Sequence, residues 1–295
     1  MQYILENSRI KATFESFGAE LISLQDEDGK EYLWYGDSTF WGRHAPILFP
    51  FVGKVRDGKY RYKGVEYTMG QHGFARDMEF TLVSQTEDEI WFELDSTPET
   101  VKKYPFEFRL EAGYKLIENT LRVMWKVVNP STEEKLYFSI GAHPAFLCPL
   151  EEGTAQCEHF MQLDVKEAEY YSANLESGLR LPEKRELKST DGRWQLSEGF
   201  FDMGDRGTYI FEDNQVKEVS LVTPEGRAYV TVSFDMPVVA VWSPEKKQAP
   251  FVCIEPWCGR CDAWDYEGSL EEREWGNELA SGGVFEKYYD IRIDK

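Results

Sequence analysis

The chain has 295 residues, 42% hydrophobic and 15% aromatic, with 33 basic against 53 acidic side chains for a formal charge of −20. Such a length supports a sizeable buried core, and a field of that sign repels nucleic-acid phosphates and anionic membranes, leaving a neutral or weakly charged small molecule as the expected partner. The N-terminal MQYILENSRIKATF lacks a signal-peptide pattern, no apolar window is long enough for a membrane span, and five cysteines, an odd count, predict reduced thiols in a cytoplasm.

Strand signals dominate in chain order. YILEN and RIKATFES alternate around a turn at Asn7-Ser8, and ELISLQ and EYLWYG flank Asp26-Glu27-Asp28-Gly29 as a hairpin. KYRYKGVEYTM reads as two short strands about Lys63-Gly64, and EFTLVSQ and EIWFELDS as a pair about Thr86-Glu87-Asp88. FEFRLEAGYKLIENTLRVMWKVVNP holds two long strands broken at Glu118-Asn119. TYIFED, EVSLVTP, AYVTVSF, VVAVWSP and FVCIEPW follow, most bounded by Gly, Pro, Asp or Asn. Helical periodicity is scarce: EEGTAQCEHFMQL is ambiguous and SLEEREWGNELAS is interrupted at Gly276. No βαβ rhythm appears, so the spacing predicts one all-β domain over residues 1–295, a large antiparallel sandwich or barrel. The 9 Trp, 16 Tyr and 19 Phe suit such a core, and some of these rings would suit the faces of a sugar.

The run IEPWCGRCD, residues 254–262, contains a CxxC pair at Cys258 and Cys261. A redox dithiol of that spacing needs a helix N-terminus to lower its first thiol's pKa. Here the pair follows a strand, and DAWDYEGSL after it is poor helix material. One CxxC is also only half of a common structural zinc set, and His159 has no spacing partner. No metal or cofactor is therefore expected, and the cysteines read as loop residues beside Glu255.

Glu255 ends the apolar run FVCI and precedes Pro256, so its carboxylate is expected to be desolvated and to act as a stronger base. His143 ends an apolar strand before Pro144, and His72 precedes Gly73 between two strand-like runs. Strand ends and their loops are where a rigid sheet presents side chains to a cleft. Two imidazoles and a carboxylate can deliver one proton and accept another, as general acid–base catalysis requires. His44 reads as structural, and His159, in an acidic stretch, as a surface residue.

PILFPFVGKVRDGKYRYKG, QHGFARDMEF, GAHPAF and CIEPWCGR, in that order, resemble the aldose 1-epimerase (galactose mutarotase) family, and more closely its LacX-like branch. The resemblance runs nearly end to end and implies a large antiparallel β-sandwich, the galactose mutarotase-like supersandwich. It implies cofactor-free interconversion of the α and β anomers of an aldose such as galactose or glucose, by a monomer or homodimer. On that likeness His143 is the acid that protonates the ring oxygen, His72 steadies the same oxygen, and Glu255 is the base on the anomeric hydroxyl. Lys54 stands where the family carries a sugar-binding Arg, with Arg56 two residues on, and a point donor recognises hydroxyls differently from a planar fork. Arg76 and Trp257 join Lys54 and Arg56 as substrate-binding candidates. Asp205 and Asp213 are candidates for the family's sugar-binding Asp. Two other readings follow: a non-catalytic sugar-binding or sensing protein, and a hexose-6-phosphate mutarotase using Lys54, Arg56, Lys59 and Arg61, which otherwise form an exposed hairpin face.

Overall fold

A computed structural model of the chain describes residues 1–151, 153–204, 206–245 and 247–295. Among these residues lie two large antiparallel sheets, of nine and eight strands, with a three-stranded sheet and two further strand pairs beside them. The nine-stranded sheet runs through Arg193–Gln195, Phe160–Leu163, Glu218–Val222, Ala228–Phe234, Val284–Ile293, Thr120–Val128, Arg109–Ile117, Glu89–Asp95 and Thr81–Gln85. The eight-stranded sheet runs through Arg185–Lys188, Glu167–Asn174, Arg206–Phe211, Val238–Trp242, Phe251–Cys258, Ile140–Ala142 and Ile47–Leu48, and Ala145–Leu147 also pairs with Phe251–Cys258. This is the mostly-β, antiparallel architecture that the alternation predicted. No helix among the described residues is long and apolar enough to cross a membrane.

Alternation explains the layering. On Thr120–Val128 the residues Leu121, Val123, Trp125 and Val127 are buried, while Arg122, Met124 and Lys126 are half-exposed. Val123, Trp125, Val232 and Ile291 of the nine-stranded sheet share one continuous core with Val239, Val241, Val252 and Ile254 of the other. Each such side chain contributes roughly 1.5–3 kcal/mol on burial. The three-stranded sheet, Gln2–Glu6, Ile10–Glu15 and Leu21–Asp26, joins this core through Phe14, whose ring lies 4.3 Å from that of Tyr114. The buried Tyr114 hydroxyl donates to Ala19 O at 2.6 Å.

Local chemistry overrides several expectations. EYLWYG forms no ladder strand, because the Glu31 carboxylate itself accepts from the backbone N–H groups of Leu24, at 2.7 Å, and Leu33, at 3.0 Å. SLEEREWGNELAS resolves into a 3₁₀ turn, Leu270–Glu272, and a strand, Asn277–Leu279, paired with Leu136–Phe138. An α-helix not expected from periodicity spans Pro98–Lys103. Its signal is local: Thr97 and Thr100 form a reciprocal capping box, with Pro98 in the first turn. His159 is not a surface residue. It is 1% exposed, its Nδ1 lies 2.9 Å from Ala155 O, and its ring meets Tyr229 edge-on.

Tyr114→Phe would leave the Ala19 carbonyl unpaired in the core and should cost about 1–3 kcal/mol in urea denaturation. Unchanged stability would show that this bond does not hold the small sheet to the large one.

Candidate active site

All eight residues of the strand Phe251–Cys258 are buried, so both of its faces are covered. Val252, Ile254 and Cys258 belong to the main core, while Phe251, Cys253 and Trp257 belong to small clusters on the other face. Period two places Glu255 on that second face, turned away from the main core. Its neighbour on the adjoining strand is Ala240, which in turn faces Ile210. A cavity of about 380 Å³, lined by Glu255 and Ile210 among others, opens above this row.

His143 reaches the same cavity from the other side. Gly141 pairs with Trp257, and Ala145 pairs with Cys253, so an unbroken register sets His143 opposite Glu255. Regular pairing lapses between those pairs, where Pro144 and Pro256 each lack an N–H. His143 Nε2 lies 3.2 Å from Glu255 Oε2, and Oε2 makes no hydrogen bond. The contact is therefore close but not aligned.

His72 completes the group, its ring centroid 5.4 Å from that of His143. The QHGFAR segment holds it by tight backbone geometry. His72 and Gly73 both take positive φ, and a Cβ at Gly73 would sit 2.2 Å from Phe49 O. Phe49 O accepts from both Phe74 N and Ala75 N. His72 Nδ1 accepts from Gly53 N at 3.1 Å. The proton of a neutral His72 must then sit on Nε2, where Gln71 Nε2 lies 3.2 Å away, a contact of two donors that the Gln71 amide relieves by turning over.

The electrostatics of the three groups agree with dry surroundings. Burial pushes Glu255 well above the usual carboxylate range. Burial, then the Arg76 guanidinium, lowers His143 to about 3. Burial, then His143, carries His72 well below the usual imidazole value. These shifts favour the uncharged form of each of the three groups. Trp41 stacks on His143 at 4.7 Å and Trp242 meets its ring edge-on at 5.6 Å. Arg43 and Arg76 also line the cavity, with Gln71, Asn174, Thr208 and Glu245 as further polar groups. Arg43 Nη2 donates to Asp77 Oδ1 and Arg76 Nη2 to Gln71 O, both at 2.8 Å. Among the described residues, His143, Cys253 and Glu255 bring ligand-type atoms within 4.8 Å of one another. As a metal set they fit poorly: the acid and the thiol both hold their protons through burial, and the guanidinium charge that depresses His143 opposes a dication.

Of the residues singled out from sequence, His72, His143, Glu255, Arg76 and Trp257 line this one cavity. Lys54 and Arg56 do not. Lys54 Nζ reaches Glu176 O at 3.5 Å, and Arg56 turns toward Tyr266 and Glu267, held by Tyr266 O at 3.1 Å. Arg61 likewise bonds Glu267 O, and Lys59 pairs with Glu66 on the same hairpin. Asp213 pairs with Lys184 at 3.9 Å away from the cavity, and Asp205 lies outside the described residues. His44 binds back to Glu20 through its backbone N–H. Sequence reasoning missed Trp41, Arg43 and Trp242. Arg43 and Trp41 sit in WGRHAP just before a motif that was read, so proximity in sequence was the available signal. Cys258 ends the strand rather than following it, and Cys261 packs against the cavity wall.

Two stacked antiparallel sheets carrying a buried carboxyl–imidazole pair define a sandwich of the mutarotase class, and the profile of the aldose 1-epimerase family matches residues 1–286. The chain belongs to the aldose 1-epimerase family. It is 30% identical, over 98% of each chain, to the chromosomal protein LacX of Lactococcus lactis subsp. lactis. A galactose mutarotase-related enzyme of Lactobacillus acidophilus superposes with TM-score 0.92 at 33% identity, covering 100% of this chain and 98% of that one. A galactose mutarotase-like protein of Lactobacillus casei ATCC 334 superposes with TM-score 0.91 at 30% identity, with 100% of both chains covered.

Burial raises the thiol pKa of Cys148 and Cys258 to about 12 and of Cys261 to about 11, and raises that of Cys253 as well. Cys157 alone among the five cysteines is half-buried rather than buried. A native thiol titration with a disulfide reagent should therefore label Cys157 at most. Rapid labelling of Cys258 or Cys261 in folded protein would revive the dithiol.

Proposed function

We propose that this chain is an aldose 1-epimerase that interconverts the anomers of a hexose by general acid–base ring opening. The observation that carries the reading is the buried His143–Glu255 contact of 3.2 Å, with His72 across the same cavity. The cycle starts with one proton on the pair, on Glu255, whose carboxyl burial raises. Moving it to His143 gives a carboxylate and an imidazolium with no change in proton count. The carboxylate then takes the proton of the anomeric hydroxyl, and His143 gives its proton to the ring oxygen. The C1–ring oxygen bond breaks, and a C1 carbonyl forms. The pair returns to acid and neutral imidazole, the state that burial favours. After rotation about C1–C2 the hydroxyl adds to the other carbonyl face. His143 takes that hydroxyl's proton, and Glu255 gives its own to the carbonyl oxygen. His72 donates from Nε2 toward the ring oxygen throughout, and the Trp41 and Trp242 rings exclude water. No step calls for a cofactor.

Polarimetry or exchange NMR on freshly dissolved α-glucose, α-galactose and other aldoses tests the reading directly. No acceleration by folded protein across the panel would sink it, and calorimetric binding without turnover would favour a sugar-sensing role. Glu255→Gln and His143→Asn should each lower the rate at least about 10²-fold. The pair gains a second proton only as the pH falls through His143's value, about 3, and loses its last as the pH rises through Glu255's raised one. kcat/KM should therefore stay level as the pH rises above about 3 and fall only when it passes Glu255's raised value. A limb near the ordinary histidine value would show that the two groups titrate separately.

Arg43 and Arg76 favour a second reading, in which the hexose carries a phosphate. Both guanidinium groups line the cavity, and Arg76 Nε is buried without a hydrogen-bond partner. The support lies here rather than in the Lys54–Arg61 hairpin. A higher kcat/KM for a hexose 6-phosphate than for the free sugar, reversed in Arg76→Gln, would establish it. Equal or better use of the free sugar would exclude it.

A further inference from the structure

Asp262 lies outside the cavity and is hydrogen-bonded to the segment that follows Gly53. Its four polar groups are all engaged. The backbone N–H donates to Lys54 O at 3.0 Å, and the carbonyl accepts from Arg180 N at 2.9 Å. Oδ2 accepts from Arg56 N at 2.9 Å, and Oδ1 from Arg273 Nε at 2.8 Å. Asp262 thus grips the segment after Gly53 at two places, Lys54 O and Arg56 N. Arg273 is itself fixed, donating to Arg260 O at 2.9 Å and lying 4.7 Å over the Phe51 ring. The preceding residue presses on Gly53: a Cβ there would stand 2.4 Å from Cys261 Cβ. Gly53 in turn exchanges two hydrogen bonds with His72, Gly53 N to Nδ1 at 3.1 Å and His72 N to Gly53 O at 2.8 Å.

We propose that Asp262 is a positioning residue for His72, fixing the Gly53 N–H that keeps the His72 proton on Nε2, facing the cavity. A carboxylate is needed because it must accept on both oxygens at once, from a backbone N–H and from a guanidinium. An amide at this position sets an NH₂ group against one of those donors. The tautomer claim is structural, and only its kinetic consequence rests on the epimerase reading.

The test is Asp262→Asn, followed by ¹H–¹⁵N imidazole spectra, with the His72 signals assigned by their loss in His72→Asn. Wild-type protein should show His72 protonated on Nε2 alone. The variant should show exchange between the two tautomers and a kcat at least about 10-fold lower, with KM changed less. Because the variant leaves Arg273 less well paired, Asp262→Asn/Arg273→Gln, which replaces the buried ion pair by two amides, carries the same test if the single variant does not fold. An unchanged His72 tautomer in either folded variant overturns the proposal, even if kcat falls. If wild-type protein anomerises no sugar but the tautomer shifts as expected, the positioning role stands and the epimerase reading fails.

Discussion

The site depends on one cross-strand relation. The ladder is regular on both sides of His143 and Glu255, and it lapses only where two prolines withdraw their donors. The residues on either side therefore hold the two side chains opposite one another without a bond between them. Burial on both faces of the Phe251–Cys258 strand then decides their protonation. Burial disfavours the charged form of both groups, raising the carboxyl and lowering the imidazole, and so favours the uncharged pair over the ion pair. A solvated glutamate would instead rest ionised near neutral pH.

The sheet supplies the floor of the cavity and loops supply its rim. Glu255, Ala240 and Ile210 form a row whose spacing is set by strand pairing. His72, Arg43 and Arg76 come from segments without ladder pairing, and each is fixed by hydrogen bonds to a neighbouring turn. The two kinds of support differ physically. Strand registers tolerate little change, because a slip of one residue would turn Glu255 toward the core. Loop positions depend on a few bonds each, which is why a distant carboxylate such as Asp262 gains influence. The formal charge of −20 also acts differently at the two scales. At long range it repels polyanions. Within the cavity Arg43 and Arg76, both paired with Asp77, stand beside Glu245 and Glu255, so local pairs rather than the overall charge set the field there.

The run IEPWCGRCD shows how unevenly neighbouring residues divide the labour. Glu255 faces the cavity, Trp257 walls it, Cys258 packs into the core, and Arg260, Cys261 and Asp262 brace the loop behind it. The motif that first suggests a dithiol holds two buried, unpaired thiols. Their spacing reflects where the strand ends rather than any chemistry between them.

Much of this was legible from residues alone. Alternation and turn residues give the long hairpin around Glu118-Asn119 and the strands of the C-terminal third, because period two and turn chemistry are local properties. His143 does follow the end of a strand, as an apolar run before proline suggests, but Glu255 lies inside Phe251–Cys258 rather than at its end and reaches the cavity through period two. Other features are not local. Lys54, next to the cavity in sequence, is turned outward, whereas Arg43 is turned in, because loop direction depends on partners such as Asp77 and Glu176 that lie far along the chain. His159 looks polar in sequence and is buried only because Ala155 O and Tyr229 come to it. The sequence by itself determined the all-β class and the titratable residue types. Tertiary structure alone decided the register that sets His143 against Glu255, and the burial that shifts their titration in opposite directions. Both depend on contacts between strands more than a hundred residues apart, and no local pattern encodes them.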